Sequence, residues 1–180
     1  MTTRAHLRQK NRHIKRSGQV GGAVIEFAFV MIVLLLIVAG AMGFGRAFWY
    51  ADALAKSTRD GARLLSTWSI FVAANTDAGR ILAAQAGAVA ARDLTISSAN
   101  AANVSPQLTT GNVLVQCAYS AFNFVACDQA INPVNVRVRI TGNNNTGGFS
   151  INLSEWMPFV GGQAFGNVDF SPATTMRYMN

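Results

Sequence analysis

The polar and apolar positions of this chain divide it into three stretches of different rhythm. From Phe27 to Gly45, nineteen consecutive residues carry no charge. At the helical rise this run reaches ~28 Å, close to the hydrocarbon thickness of a bilayer. Beyond it Phe44, Phe48, Ala51, Leu54 or Ala55, Thr58, Ala62 and Leu65 recur every three or four residues, which predicts one helix continuing to about Thr67. A second helix is predicted from a cap at Thr76 or Asp77 to about Arg92, with Ile81, Leu82, Gln85, Ala88 and Val89 on one packing face.

From Asp93 the spacing changes from helical to alternating. Val113, Val115, Cys117 and Tyr119 form one half-buried strand pattern, and Val134, Val136, Val138 and Ile140 form another. The stretch Gly142-Asn143-Asn144-Asn145-Thr146-Gly147-Gly148 is rich in residues that tolerate positive φ. It should turn the chain into a strand at Phe149–Leu153, making an antiparallel hairpin, and a last strand near Ala173–Tyr178 would complete a small sheet. The expected fold is α+β: a long N-terminal transmembrane helix running into a small extracytoplasmic domain with a second helix and an antiparallel sheet. Residues 1–21 read as a basic cytoplasmic leader, 22–68 as the long helix and 69–180 as the external domain. No internal repeat is visible.

Charge sets the orientation. The chain carries +7 overall, but six of its fifteen basic residues (Arg4, Arg8, Lys10, Arg12, Lys15 and Arg16) precede Gly21 with no acidic residue among them, leaving nine against eight in the remainder. A leader of that sign stays in the cytoplasm and sends the chain beyond Arg46 outside. Phe48, Trp49 and Tyr50 fit an aromatic belt at the far interface. Taken as a whole the basic balance could be read as a nucleic-acid footprint, but the leader has no aromatic residue to stack on a base, so a topogenic role is the better reading.

Glu26 stands at the start of the apolar run, where an ionised carboxylate at mid-bilayer would cost about 2.5–3.5 kcal/mol. Water is near at the helix end and the helix dipole favours an anion there, so a tolerated interfacial glutamate is one reading. The other looks for a partner cation. Glu26 is the fifth residue counted from Gly22, and a cut after Gly21 would create an α-amino group four residues before the carboxylate. This arrangement resembles the prepilin signal of type IV pilins. The segments Glu26-Phe27-Ala28, Gly43-Phe44-Gly45-Arg46, Ser57-Thr58-Arg59-Asp60-Gly61-Ala62-Arg63 and Ser171-Pro172-Ala173-Thr174-Thr175-Met176-Arg177 succeed one another as in TadE-like minor pilins of the tight-adherence (Tad/Flp) pilus systems, which they resemble. Ile32 stands where many relatives have a proline, and an acid usual near Gly43 is absent.

The resemblance implies a minor pilin or pseudopilin of the bacterial inner membrane, cut by prepilin peptidase between Gly21 and Gly22. Glu26, beside Phe27, would be the assembly residue meeting the terminal amine of a neighbouring subunit. It also implies other pilins, minor pilins and the Tad assembly platform as partners, in pili that serve adherence. Two small-x-x-x-small pairs, Ala39 with Gly43 and Ala41 with Gly45, would allow close helix approach in lipid or in a pilus core.

Two readings without a pilus role stay open. One is a single-pass anchored binding domain. The other is a secreted domain, because Phe27–Val38 can serve as the apolar core of a signal peptide and Ala39-Gly40-Ala41 as its cleavage site. Against secretion stand Glu26 and the helical pattern that runs on past Ala41.

Cys117 and Cys127 are the only cysteines, on the side expected to be oxidising, and a disulfide between them is predicted. Catalysis is not expected. Both histidines, His6 and His13, lie in the leader, so the external domain can build neither a nucleophile–histidine pair nor a histidine metal site. Asp77, Asp93, Asp128, Glu155 and Asp169 have no spacing that points to paired-carboxylate chemistry, and Gly161-Gly162 after Pro158 reads as a turn and not a phosphate loop. No cofactor and no metal is expected.

Overall fold

A computed structural model describes residues 19–69, 75–142, 147–152 and 167–179. Residues 1–18, with most of the basic leader, and Glu155, Pro158 and Gly161-Gly162 lie outside the described residues. Helix α1 spans Gln19–Ser66 and helix α2 spans Asp77–Ala101; a 3₁₀ turn at Thr110–Asn112 precedes strands β1 (Val113–Ala118), β2 (Phe124–Val125), β3 (Asn135–Ile140), β4 (Phe149–Asn152), β5 (Asn167–Phe170) and β6 (Ala173–Arg177). The architecture is α+β, as expected. Two units are distinguished, dividing between Ala41 and Met42.

In the first unit, every described side chain from Gly21 to Val38 is exposed. This is the helical stretch whose length and composition suit it to cross a membrane.

The second unit is built on a close approach of two helices. A Cβ on Gly61 of α1 would stand 2.1 Å from the Thr95 Oγ1 and 2.8 Å from the Ala91 carbonyl oxygen of α2. One on Gly87 would strike the Trp68 ring at 2.6 Å. The α2 face turned inward is therefore a row of small residues, Ala84, Gly87, Ala91, Thr95 and Ala99. This corrects the face expected from the larger apolar residues: Leu82 is 66% exposed and Val89 44%. Bulk that would hold the helices apart turns outward.

The start of α2 agrees with the sequence, with Thr76 as the cap whose hydroxyl accepts from Gly79 N–H at 3.2 Å. Its end does not. The helix continues past Arg92 to Ala101 through Thr95, Ile96, Ser97 and Ser98, a stretch whose local preference is poor. The hydroxyls of Thr95, Ser97 and Ser98 donate to carbonyls of the preceding turn, and Ile96 packs on the core, so tertiary packing overrides propensity.

The larger sheet has the order β2-β1-β3-β6, all antiparallel, with Val115 opposite Val138 and Val138 opposite Thr174. The expected hairpin between β3 and the strand at Phe149 is not formed. Strand β3 already has β1 on one edge and β6 on the other, so β4 pairs instead with β5 in a separate two-stranded sheet. That strand was not legible because Asn167–Phe170 is short and has no clear alternation. Phe149 and Ile151 of β4 still reach the main core with Leu54, Val138 and Ile140.

Covalent and polar ties close the unit. Cys117 and Cys127 form the expected disulfide, Cα to Cα 5.0 Å, buried in a second cluster with Leu65, Ala91, Val136 and Tyr178. The chain's last described residues cover the end of α1: Met179 N–H donates to Ser66 O at 3.0 Å and Tyr178 Oη donates to Trp68 O.

Two stability outcomes are expected. Gly61→Ala in the detergent-solubilised chain should cost about 1–3 kcal/mol by overpacking, read as a lowered thermal midpoint, with only partial recovery in Gly61→Ala/Thr95→Ala because the Ala91 carbonyl cannot move aside. Cys127→Ser, or reduction, should remove roughly 2–3 kcal/mol for so short a loop, measured by denaturant unfolding of the oxidised and reduced chain.

Candidate functional site along the long helix

The N-terminal part of α1 carries the residues on which processing and assembly would depend. Helix α1 is described from Gln19, so the Gly21–Gly22 peptide bond lies in the N-terminal part of the described helix. Glycine is a poor helix former, so two in succession lower the cost of opening the helix there. Both glycines are exposed, with nothing within 4 Å of an added Cβ. Glu26 and Phe27 are exposed one turn further on. Four residues of helix separate Gly22 from Glu26 by about 6 Å along the axis.

The small-residue pairs are not equivalent. Gly43 is buried and Ala39 half-buried, whereas Ala41 and Gly45 are exposed, Gly45 with open space around it. The second pair thus keeps a free surface.

Further along α1, the segment Ser57–Arg63 divides by face. Ser57, Thr58, Gly61 and Ala62 are buried; Arg59, Asp60 and Arg63 are exposed. Ser57 Oγ donates to Leu54 O at 2.9 Å. The Thr58 hydroxyl donates to Ala55 O at 3.0 Å, which leaves Thr174 to donate to it across 2.9 Å. This bond joins the helix segment to strand β6, bringing together two stretches of sequence that carried the family resemblance. Nothing in the spacing of Thr58 and Thr174 announced it, because the pair is 116 residues apart. On the exposed side, Asp60, Arg63 and Leu64 of α1 and Thr67 just after it line an open groove of about 360 Å³ with Leu94 of α2.

A family model described as TadE-like protein matches residues 21–63. Over that segment the chain is TadE-like. The match begins at Gly21, covers the apolar helix and ends at Arg63, so it takes in the glycine pair, Glu26 and the segment that packs on α2. It associates the chain with the Tad pilus system. Neither the curated proteins nor the solved structures contain a match to the chain.

Among the described residues, no group of three or more His, Cys, Asp or Glu side chains is placed to hold a metal ion. Asp52 is paired with Lys56 at 3.0 Å, Asp77 with Arg80 at 3.3 Å and Asp93 with Arg92 at 3.8 Å. These carboxylates sit in local surface pairs of small energetic weight and do not converge.

If the exposed stretch is solvated by lipid, Leu35→Arg should cost about 2.5–3.5 kcal/mol of insertion free energy and move the chain out of the carbonate-resistant membrane fraction. An unchanged membrane fraction would count against a spanning role.

Proposed function

We propose that the chain is a minor pilin, or pseudopilin, of a Tad/Flp pilus. Prepilin peptidase cuts it between Gly21 and Gly22, and the apolar helix then enters the assembly complex with other pilins at the inner-membrane platform. The observation that carries this reading is the TadE-like match beginning at Gly21, where the glycine pair, Glu26 and the uncharged helix come in order.

Physically, the cut converts a neutral peptide nitrogen into an ammonium group. A subunit in the membrane then carries a cation at its new terminus and an anion one turn along. Within one helix the rise sets the two residues about 6 Å apart along the axis, the same spacing at which Asp52 and Lys56 pair further along, so the carboxylate can reach its own amine as well as a neighbour's. A neighbouring subunit displaced along the helix axis by about one turn brings its Glu26 level with the amine. In a medium of low dielectric such a pair strongly favours one register, since either charge left alone is heavily penalised. Leader removal also strips off the six positive charges that hold the N-terminus at the cytoplasmic face. The domain beyond the helix stays outside the cell membrane, where its disulfide is stable.

A second reading, an anchored or secreted binding domain without a pilus role, draws on the Ala39-Gly40-Ala41 sequence after the apolar run, which suits a signal-peptide cleavage site. The uninterrupted helix through that point weighs against it.

The deciding measurement is the N-terminal sequence and intact mass of the membrane-extracted chain, with and without the host's prepilin peptidase. A peptidase-dependent start at Gly22 is expected; a start at Met42 would mean ordinary secretion, and an uncut leader an anchored domain. Glu26→Ala should leave expression and cleavage intact but reduce piliation, counted by electron microscopy. Normal pili in that variant would remove the charge pair from the mechanism.

A further inference from the structure

The larger sheet has one face turned to the helices and one turned away. The inward face carries Val113, Val115 and Cys117 of β1 with Val136, Val138 and Ile140 of β3. On the other face the register sets Leu114 and Gln116 of β1 beside Arg139 and Arg137 of β3, and these beside Ala173 and Thr175 of β6, with Asn135 opposite Arg177. Three guanidiniums thus share one face. Arg137 and Arg139 lie about 6.7 Å apart along β3, and Arg177 lies one further two-residue step along and one strand over, so the file extends for about 13 Å.

None of the three forms an ion pair among the described residues, although the chain carries surface pairs elsewhere. Their positions are set by neutral groups. Arg137 donates from Nε at 3.2 Å and from Nη2 to Gln116 Oε1, and its guanidinium lies 3.9 Å over the Phe124 ring. Arg139 donates from Nε to Ser171 Oγ at 3.1 Å. Both side chains are held at their inner edges by acceptors that do not neutralise them, and their outer N–H groups keep the fork geometry that suits a carboxylate. Burial first, and the Arg139 charge second, lower the Arg137 pKa from its ordinary value, the direction expected of uncompensated positive charge.

We infer that this outer sheet face binds an acidic polysaccharide, a sugar chain bearing carboxylates, along the file of Arg139, Arg137 and Arg177. The groups between the arginines decide the class. Gln116, Asn135, Thr175 and Ser171 are neutral amides and hydroxyls, able to exchange hydrogen bonds with sugar hydroxyls between carboxylates. A single-stranded nucleic acid would need bare aromatic platforms for its bases, and the one ring that the register brings to this face, Phe124, is covered by Arg137. A protein partner would want a broad apolar centre, for which this face offers Leu114 and two alanines, Ala118 and Ala173, beside the covered Phe124. The inference does not depend on cleavage at Gly21 or on pilus assembly; it assigns a ligand to the domain beyond the helix.

The test is arginine footprinting of the full chain in detergent micelles. Phenylglyoxal modification is quantified residue by residue by peptide mass spectrometry, with polygalacturonate, dextran or polyphosphate added. Local readout separates this face from the basic leader, which attracts any polyanion. Polygalacturonate should slow modification of Arg137, Arg139 and Arg177 by about tenfold, the scale of one charge-assisted hydrogen bond, while leaving Arg59 unchanged. Arg137→Gln/Arg139→Gln should abolish the protection of Arg177 at an unaltered thermal midpoint. Should that variant fail to fold, Arg177→Gln, at an exposed position, should weaken the protection of the other two. No protection, equal protection of Arg59, equal protection by dextran, or stronger protection by polyphosphate would each overturn the assignment.

Discussion

Everything in the second unit depends on how closely α1 and α2 approach at Gly61. With Thr95 Oγ1 and the Ala91 carbonyl lying where a side chain would begin, the helices meet backbone to backbone. That contact rotates α2 so that alanine, glycine and threonine face inward and Leu82 and Val89 face out. It also sets the surface on which the larger sheet lies. Val136, Val138 and Ile140 are almost wholly buried because the paired helices present a continuous apolar surface to that side. A bulkier residue at position 61 would disturb the sheet as well as the helix pair, since interiors at crystal-like density transmit strain.

The same helix meets contrasting demands along its length. Between Phe27 and Val38 its side chains are apolar and exposed, the composition and length of a membrane-spanning stretch. From Tyr50 onward it is a component of an ordinary protein core, with Leu54 and Ala62 fully buried. The family match spans both stretches. The matched segment of this chain thus includes an exposed apolar helical stretch with Glu26 ahead of it and the Gly61 contact with α2 near its end.

Closure of the unit is distributed over sequence-distant pairs. Thr58 and Thr174 share a hydrogen bond, Met179 N–H donates to the last carbonyl of α1 and Tyr178 to the Trp68 carbonyl just beyond it, and the disulfide fixes β1 to the loop after β2. Tyr178 and Met179 therefore belong to the structural frame. Strand β6 completes the sheet and, through Arg177, also extends the cationic outer face.

The sequence by itself determined those features that local order and solvent preference dictate. The uncharged run, the helix reaching the region of Ser66, the cap at Thr76, the alternation of β1 and β3 and the pairing of two solitary cysteines were all legible, because each is a property of residues a few positions apart or of a choice with one partner. Tertiary structure alone decided the inward face of α2, its extension through Ile96 to Ala101, the pairing of β4 with β5 and the gathering of Arg137, Arg139 and Arg177. In each case the outcome turned on a neighbour distant in sequence: Gly61 and Trp68 for the helix face, the filled edges of β3 for the strand pairing, and the register of β6 on β3 for the arginines. Periodicity states which side of an element is apolar or polar; only packing states what comes to lie against it.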